Sequence, residues 1–212
     1  NSEEVAKKFK FKSKIKIFVN KKKRGLVTCA NTALKLTSAK YFTRLDADDF
    51  LHKKAYELII NEFNQDKKIS LVYTDYYYTD EYGNIIDINF NINKKKQDNP
   101  AHGACSVFLR DKFYKSGGYN KLFKAQDGYD LWISFLQKNF KIKNLDIPLF
   151  FYRQHSSSMS KNLVKILNER SKIQRFYVKK KIEKQKIAYI IGGSDRNNFL
   201  LKKLNSKPLL PY

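Results

Sequence analysis

Apolar and polar positions along the chain change period several times, and each change marks an element. Residues 15–19 alternate apolar and polar as a strand does, and residues 26–40 place Leu26, Ala30, Ala33 and Leu34 at helical spacing behind Gly25. Residues 41–45 form a second apolar run that ends in an acidic triplet, Asp46, Asp48 and Asp49. Ala55, Leu58, Ile59 and Phe63 then share one face of a predicted helix over 52–65, and residues 69–74 read as a further strand. Strands alternating with helices in this way predict an α/β fold, with a mainly parallel sheet carrying helices on both faces.

The second half reads less regularly. Tyrosines alternate with polar residues over 75–90 around Glu81-Tyr82-Gly83-Asn84, the pattern of a hairpin with a tight turn. A charged loop over 94–99 precedes a strand-like run at 104–109, a short helix over 111–116 and a Gly117-Gly118 turn. Residues 127–140 form an amphipathic helix with Leu131, Trp132, Phe135 and Leu136 inward, and residues 142–147 form a strand, followed by an apolar run at 148–152. Residues 162–184 read as a long basic helix whose apolar stripe is Leu163, Ile166, Leu167, Ile173 and Phe176, and a last strand is predicted at 187–191.

Composition narrows the class. A chain of 212 residues suits one domain, or one domain with an appendage. Lys and Arg number 43 against 20 acidic residues, a net charge of +23 that favours anionic partners. The lysines are spread along the chain and no nucleic-acid motif appears, so no specific nucleic-acid binding is expected. Cys29 and Cys105 show neither zinc nor CxxC spacing, which predicts two free thiols in a reducing compartment. No apolar run reaches the roughly 18 residues of a membrane span.

The candidate chemistry begins at the acidic triplet. At a strand's C-terminal end Asp46 and Asp48 can share a hard divalent cation, and that cation can grip a diphosphate. The same residues also read as an acidic turn capping the next helix, and spacing alone leaves both readings open. Asp127 stands at the start of a predicted helix, where an aspartate is a good cap. Arg153 has the fork geometry that pairs with phosphate.

Four segments in collinear order carry a resemblance. Gly25-Leu26-Val27-Thr28-Cys29-Ala30-Asn31, then Leu45-Asp46-Ala47-Asp48-Asp49, then Gln126-Asp127-Gly128-Tyr129-Asp130-Leu131-Trp132, then Tyr152-Arg153-Gln154-His155-Ser156-Ser157-Ser158-Met159-Ser160, together resemble the family-2 glycosyltransferases of the GT-A fold. The resemblance implies a Rossmann-like GT-A domain over 1–160, lacking its first β-α-β unit, with a basic linker helix over 161–186. It implies that Asp46, Asp48 and His155 hold Mg²⁺ or Mn²⁺ on the diphosphate of a nucleotide-sugar, that Asn31 and Arg153 lie on the donor side, and that Asp127 is the base of an inverting transfer. The acceptor expected is a hydroxyl of a glycan or a lipid-linked glycan, in a bacterial polysaccharide pathway. The implied location is cytoplasmic, with peripheral contact at the inner face of an anionic membrane.

Three departures accompany the match. Gln126 stands where the family usually has Glu, and Asp49 reads better as a helix cap than as a ligand. Cys29-Ala30-Asn31 replaces Ala-Arg-Asn, so a donor-side arginine is missing and Lys23, Arg24 or Arg44 is left to supply positive charge. Beside the transferase reading, the incomplete N-terminus leaves a rival class open, a basic GT-A-like binding or scaffold domain without catalysis. Residues 187–212, with Gly192-Gly193-Ser194, resemble the opening of a sugar cytidylyltransferase and imply a second, nucleotidyltransferase domain.

Overall fold

The computed structural model describes residues 4, 5, 8, 16–89, 104–123, 125–156 and 162–184. The expected loop at 94–99, His102, Ser157 to Ser160 and the strand and glycine turn after residue 186 lie outside the described residues.

The elements are α1 (Leu26–Lys35), β1 (Tyr41–Thr43), β2 (Phe50–Leu51), α2 (Ala55–Gln65), β3 (Ile69–Thr79), β4 (Ile85–Asn89), β5 (Val107–Leu109), α3 (Arg110–Ser116), α4 (Asp127–Gln137), β6 (Lys141–Arg153) and α5 (Leu163–Lys184). The strand predicted at 15–19 does not form over its described part. Residues 16–19 join no ladder, and Phe18 and Val19 stay exposed.

The sheet runs β1-β5-β3-β6-β2, with β4 also on β3. It is mixed rather than mainly parallel. Among the described residues β3 and β6 alone pair in parallel, while β1–β5, β3–β5, β3–β4 and β2–β6 are antiparallel. Parallel neighbours need a long crossover, which the chain between β3 and β6 supplies through α3 and α4. The β3–β4 pair needs only a tight turn. There Asp80 Oδ1 accepts the amides of Tyr82 and Asn84, and Gly83 takes φ 96°.

Residues 142–147 and 148–152, read as separate runs, join into the single strand β6. Its ladder with β3 shifts register between Thr74 and Asp75 and between Asp75 and Tyr76, where Pro148 faces Asp75. Proline has no amide hydrogen to donate, and a bulge is where a sheet tolerates it. Beyond the bulge the pairing continues to Thr79 and Arg153.

Alternation along β3 divides the core. Leu71 and Tyr73 pack with Leu34, Phe108, Phe113, Trp132 and Phe135 under α1, α3 and α4. Val72 packs with Ile59, Phe63, Val107 and Phe150 under α2. Helices therefore cover both faces, as the periodicity predicts. Full burial of side chains such as Phe113, Phe135 and Ile59 is worth roughly 1.5–3 kcal/mol each. A third cluster, Phe123, Tyr129, Ile133, Ile173 and Tyr177, seats α5 on α4. Leu167, expected inward, is exposed. No described helix is long and apolar enough to cross a membrane.

β1, β3 and β6 point the same way. Residues following β1 and β6 thus meet along one edge of the sheet, the C-terminal edge at which open α/β sheets take their ligands.

Candidate functional site

Two linked clusters occupy that edge. The first is built on Arg44, just past β1. Its guanidinium is paired with Asp127 at the start of α4 and with Asp46, where Nε lies 2.9 Å from Oδ1. Arg44 and Asp127 are largely buried, with side chains 12% and 13% exposed, whereas Asp46 is 30% exposed. Burial of Arg44 works against its charge, but Asp127, Tyr119 and Asp46 together hold its pKa above the ordinary value. Burial raises the Asp46 carboxyl, and Arg44 opposes that rise. The Arg44 carbonyl is fixed as well, accepting the Cys105 amide at 3.0 Å from a residue held at φ 59°.

Asp127 does not cap α4. The residue in the capping position is Gln126, and no side chain caps that end. The carboxylate of Asp127 instead turns to Arg44, a residue 83 positions earlier in the chain.

The second cluster joins the acidic turn to the end of β6. His155 Nε2 lies 3.0 Å from Asp48 Oδ2, and both side chains are open to solvent, 28% and 45% exposed. Arg153 pins the loops around them: its Nε donates to the Asp48 carbonyl at 2.7 Å, its guanidinium also reaches the Glu81 carbonyl, and it lies over the Phe50 ring. Asp49 is not a helix cap, contrary to the sequence reading. The N-terminus of α2 has no side-chain cap, and Asp49 Oδ1 accepts the Arg153 amide at 2.9 Å. A buried carboxylate that bonds to β6 has no freedom to turn toward α2. Burial pushes Asp49 up to about 6, against the effect of that hydrogen bond.

Asn31, assigned to the donor side, faces the turn after α3. Its Nδ2 donates to the Tyr119 carbonyl at 2.8 Å and its Oδ1 accepts the Tyr119 amide at 3.3 Å. Gly118, at φ 69°, makes room for this contact, since a Cβ there would meet Asn31 Oδ1 at 3.3 Å and Phe113 at 3.2 Å. Trp132 belongs to the core, edge-on to Tyr73. The His52 ring accepts the Lys54 amide through Nδ1 within its own turn.

The structure thus joins Asp46 with Asp127 through Arg44, and Asp48 with His155. It does not gather Asp46, Asp48 and His155 into one knot. Among the described residues no group of three or more His, Cys, Asp or Glu side chains is close enough to hold a metal. The residue that sequence reasoning undervalued is Arg44, named only as a possible source of charge. Its signal was a lone arginine two positions before Asp46, facing a surplus of carboxylates.

Asp130 shows what the site costs the fold. It is buried, its Oδ1 has no partner, and burial pushes it up to about 6. An unfolded aspartate titrates near 3.9, so the folded chain holds the extra proton between these values. Stability from this group is therefore complete below about pH 4 and is lost as pH rises through about 6. Asp130→Asn is expected to raise the melting temperature at pH 7.5, by about 2–4 °C for each kcal/mol recovered. That gain shrinks toward pH 4, and thermal melts of both proteins across this range measure it. An equal gain at every pH would place the effect elsewhere than in this titration.

Comparison with known proteins gives a consistent picture. The family described as Glycosyl transferase family 2 matches residues 1–165. The chain is 30% identical over 163 residues to the uncharacterized glycosyltransferase MJ1057 of Methanocaldococcus jannaschii, covering 72% of this chain and 55% of that protein. It is 28% identical over 158 residues to the UDP-Glc:alpha-D-GlcNAc-diphosphoundecaprenol beta-1,3-glucosyltransferase WfaP of Escherichia coli, covering 71% of this chain and 60% of that one. The fold is similar to S. aureus TarS 1-349 in complex with UDP-GlcNAc, at a TM-score of 0.65 and 10% identity over 96% of this chain and 59% of that chain. It is also similar to GalNAc-T7 with UDP, GalNAc and Mn²⁺, at a TM-score of 0.59 and 15% identity over 99% of this chain and 46% of that chain. The chain spans 55% and 60% of the two curated relatives named.

Proposed function

This chain belongs to glycosyl transferase family 2 and has the GT-A fold, and from that premise we propose that it transfers a sugar from a nucleotide-sugar to a hydroxyl of a glycan or lipid-linked acceptor, with inversion at the anomeric carbon. One observation carries the reading. Asp127 and the acidic turn share Arg44, so a base and a diphosphate-side carboxylate stand on one wall of the sheet edge.

The reaction is a single displacement. The acceptor oxygen attacks the anomeric carbon, its bond to the phosphate oxygen breaks, and the nucleoside diphosphate leaves with the electron pair. Asp127 takes the acceptor proton. Arg44 holds its Oδ2 and so aims the carboxylate, leaving Oδ1 to face the acceptor on this reading.

The donor set at the acidic turn fits a divalent cation. Asp48 and His155 are adjacent, side by side in solvent, and a hard cation commonly takes one or two protein ligands and completes its shell with water and substrate phosphates. Asp48 and His155 would hold Mg²⁺ or Mn²⁺, with Asp46 completing the set on release from Arg44. When bound, that ion stabilises charge developing on the leaving diphosphate. Arg153 and Asp49 keep the ligand loop in place, and Asn31 fixes the α1 wall against Tyr119.

The UDP-Glc in the name of WfaP, and the UDP-GlcNAc and UDP bound in the TarS and GalNAc-T7 structures, make uridine diphosphate sugars the first donors to try. A lipid-linked acceptor like that in the name of WfaP would bring the basic surface against an anionic bilayer. With Mn²⁺, a panel of such donors and an undecaprenyl-diphosphate-linked sugar, acceptor-dependent release of nucleoside diphosphate is the expected result. The product should carry the anomeric configuration opposite to the donor's. Release with no donor in the panel would instead leave a non-catalytic binding domain.

A further inference from the structure

The basic helix α5 enters the site from behind. Gln126, directly before Asp127, has φ 61° and ψ 34°, the left-handed region that side chains other than glycine rarely occupy. A residue persists there only where its surroundings over-determine it, and such residues cluster at active sites.

The surroundings that hold Gln126 belong to α5. Arg170 Nε donates to Gln126 Oε1 at 2.8 Å, and the Arg170 guanidinium lies 4.9 Å over the Tyr129 ring. Gln174 donates to the Tyr129 hydroxyl at 3.0 Å, and the Tyr177 hydroxyl to the Asp130 carbonyl at 3.4 Å. Residues 170, 174 and 177 lie at i, i+4 and i+7, one stripe of a helix. All three grip the first turn of α4, the turn that begins with Asp127. Arg170 and Gln174 stand outside the apolar cluster that seats α5 on α4, to which α5 contributes the buried Ile173 and Tyr177.

We infer that Arg170 is a positioning residue for the base: by holding Gln126 in its left-handed turn it sets the direction in which Asp127 meets Arg44 and the acceptor. This rests on Asp127 being the proton acceptor. Released from Arg170, Gln126 relaxes toward ordinary backbone angles, and the first turn of α4 rotates Asp127 out of line. A shift of about 1 Å in a reacting group costs up to roughly 100-fold in rate.

The test compares Arg170→Ala with Arg175→Ala, which removes the same charge from an exposed position on the same helix. Arg170→Ala is expected to lower kcat by roughly 10- to 100-fold with donor KM unchanged, Arg170→Lys to recover part of the loss, and Arg175→Ala to match wild type. In the same proteins, hydrogen exchange at the Asp130 amide, which bonds to the Gln126 carbonyl at 3.0 Å, should accelerate in Arg170→Ala alone. A double-mutant cycle guards against general misfolding. In a Gln126→Gly background, where glycine tolerates the left-handed turn, replacing Arg170 should cost far less than in wild type. The inference is overturned if Arg170→Ala behaves as Arg175→Ala does, or if its cost is the same in both backgrounds. Should the wild-type chain transfer no sugar at all, the functional reading fails, while exchange at Asp130 still decides whether Arg170 holds the turn.

Discussion

Asp127→Asn is expected to lower kcat for sugar transfer by roughly 10²- to 10⁴-fold while leaving nucleotide-sugar affinity intact. The amide matches the carboxylate in size and still offers an oxygen to Arg44, so the wall of the site keeps its shape. What it loses is the capacity to take a proton. The substitution also removes one of the two carboxylates that neutralise a largely buried guanidinium, so some loss of stability is expected with it. Steady-state kinetics with a thermal melt separate the two effects. If the variant melts lower but turns over like wild type, Asp127 is a structural partner of Arg44 and another group accepts the proton.

Asp48→Ala is expected to weaken Mn²⁺-dependent binding of a nucleoside diphosphate by at least the roughly 10- to 100-fold that even outer partners of a metal contribute. Titration calorimetry with and without the metal reads this directly and needs no turnover. His155→Ala should give a loss of the same kind, since its ring lies 3.0 Å from Asp48. Asp48 is nearly half exposed and its side chain supports no core contact, so neither variant should change the fold. Equal affinity with and without the metal, in wild type and variants alike, would mean that the turn holds no cation for the diphosphate.

These two experiments address different clusters, and Arg44 joins Asp46 of the acidic turn to Asp127. Asp46 and Asp127 each repel a neighbouring negative charge, and a shared guanidinium relieves both. Asp46 cannot pair fully with Arg44 and serve as a metal ligand at once. On the proposed reading, a bound cation and diphosphate would compete with Arg44 for Asp46 and leave Asp127 as the guanidinium's principal partner.

Much of this was legible in the residues. Asp46, Asp48, Asp127, Arg153 and His155 all fall along the edge where strand ends meet, and the three motifs that contain them lie within the family match. The helices came close to their expected limits because a 3.6-residue stripe of apolar positions needs no partner to be recognised. The hairpin at Gly83 followed from local turn chemistry. Asp49 was misread for a related reason: a cap is a local habit of aspartate, whereas its actual bond is to an amide 104 residues away. Strand direction was also misread, because alternation shows which side chains share a face and is silent about which neighbour a strand will choose.

By itself, then, the sequence determined the helices, the two-sided core and the chemical groups on offer, since each depends on short-range periodicity or residue type. Tertiary structure alone decided how those groups are partnered. Arg44 with Asp127, Asp48 with His155, Asp49 with the Arg153 amide and Gln126 with Arg170 are all contacts between residues far apart in the chain. Ion pairs and hydrogen bonds act over a few ångströms, so they follow from which chain segments the packed core brings together, and no local pattern encodes that.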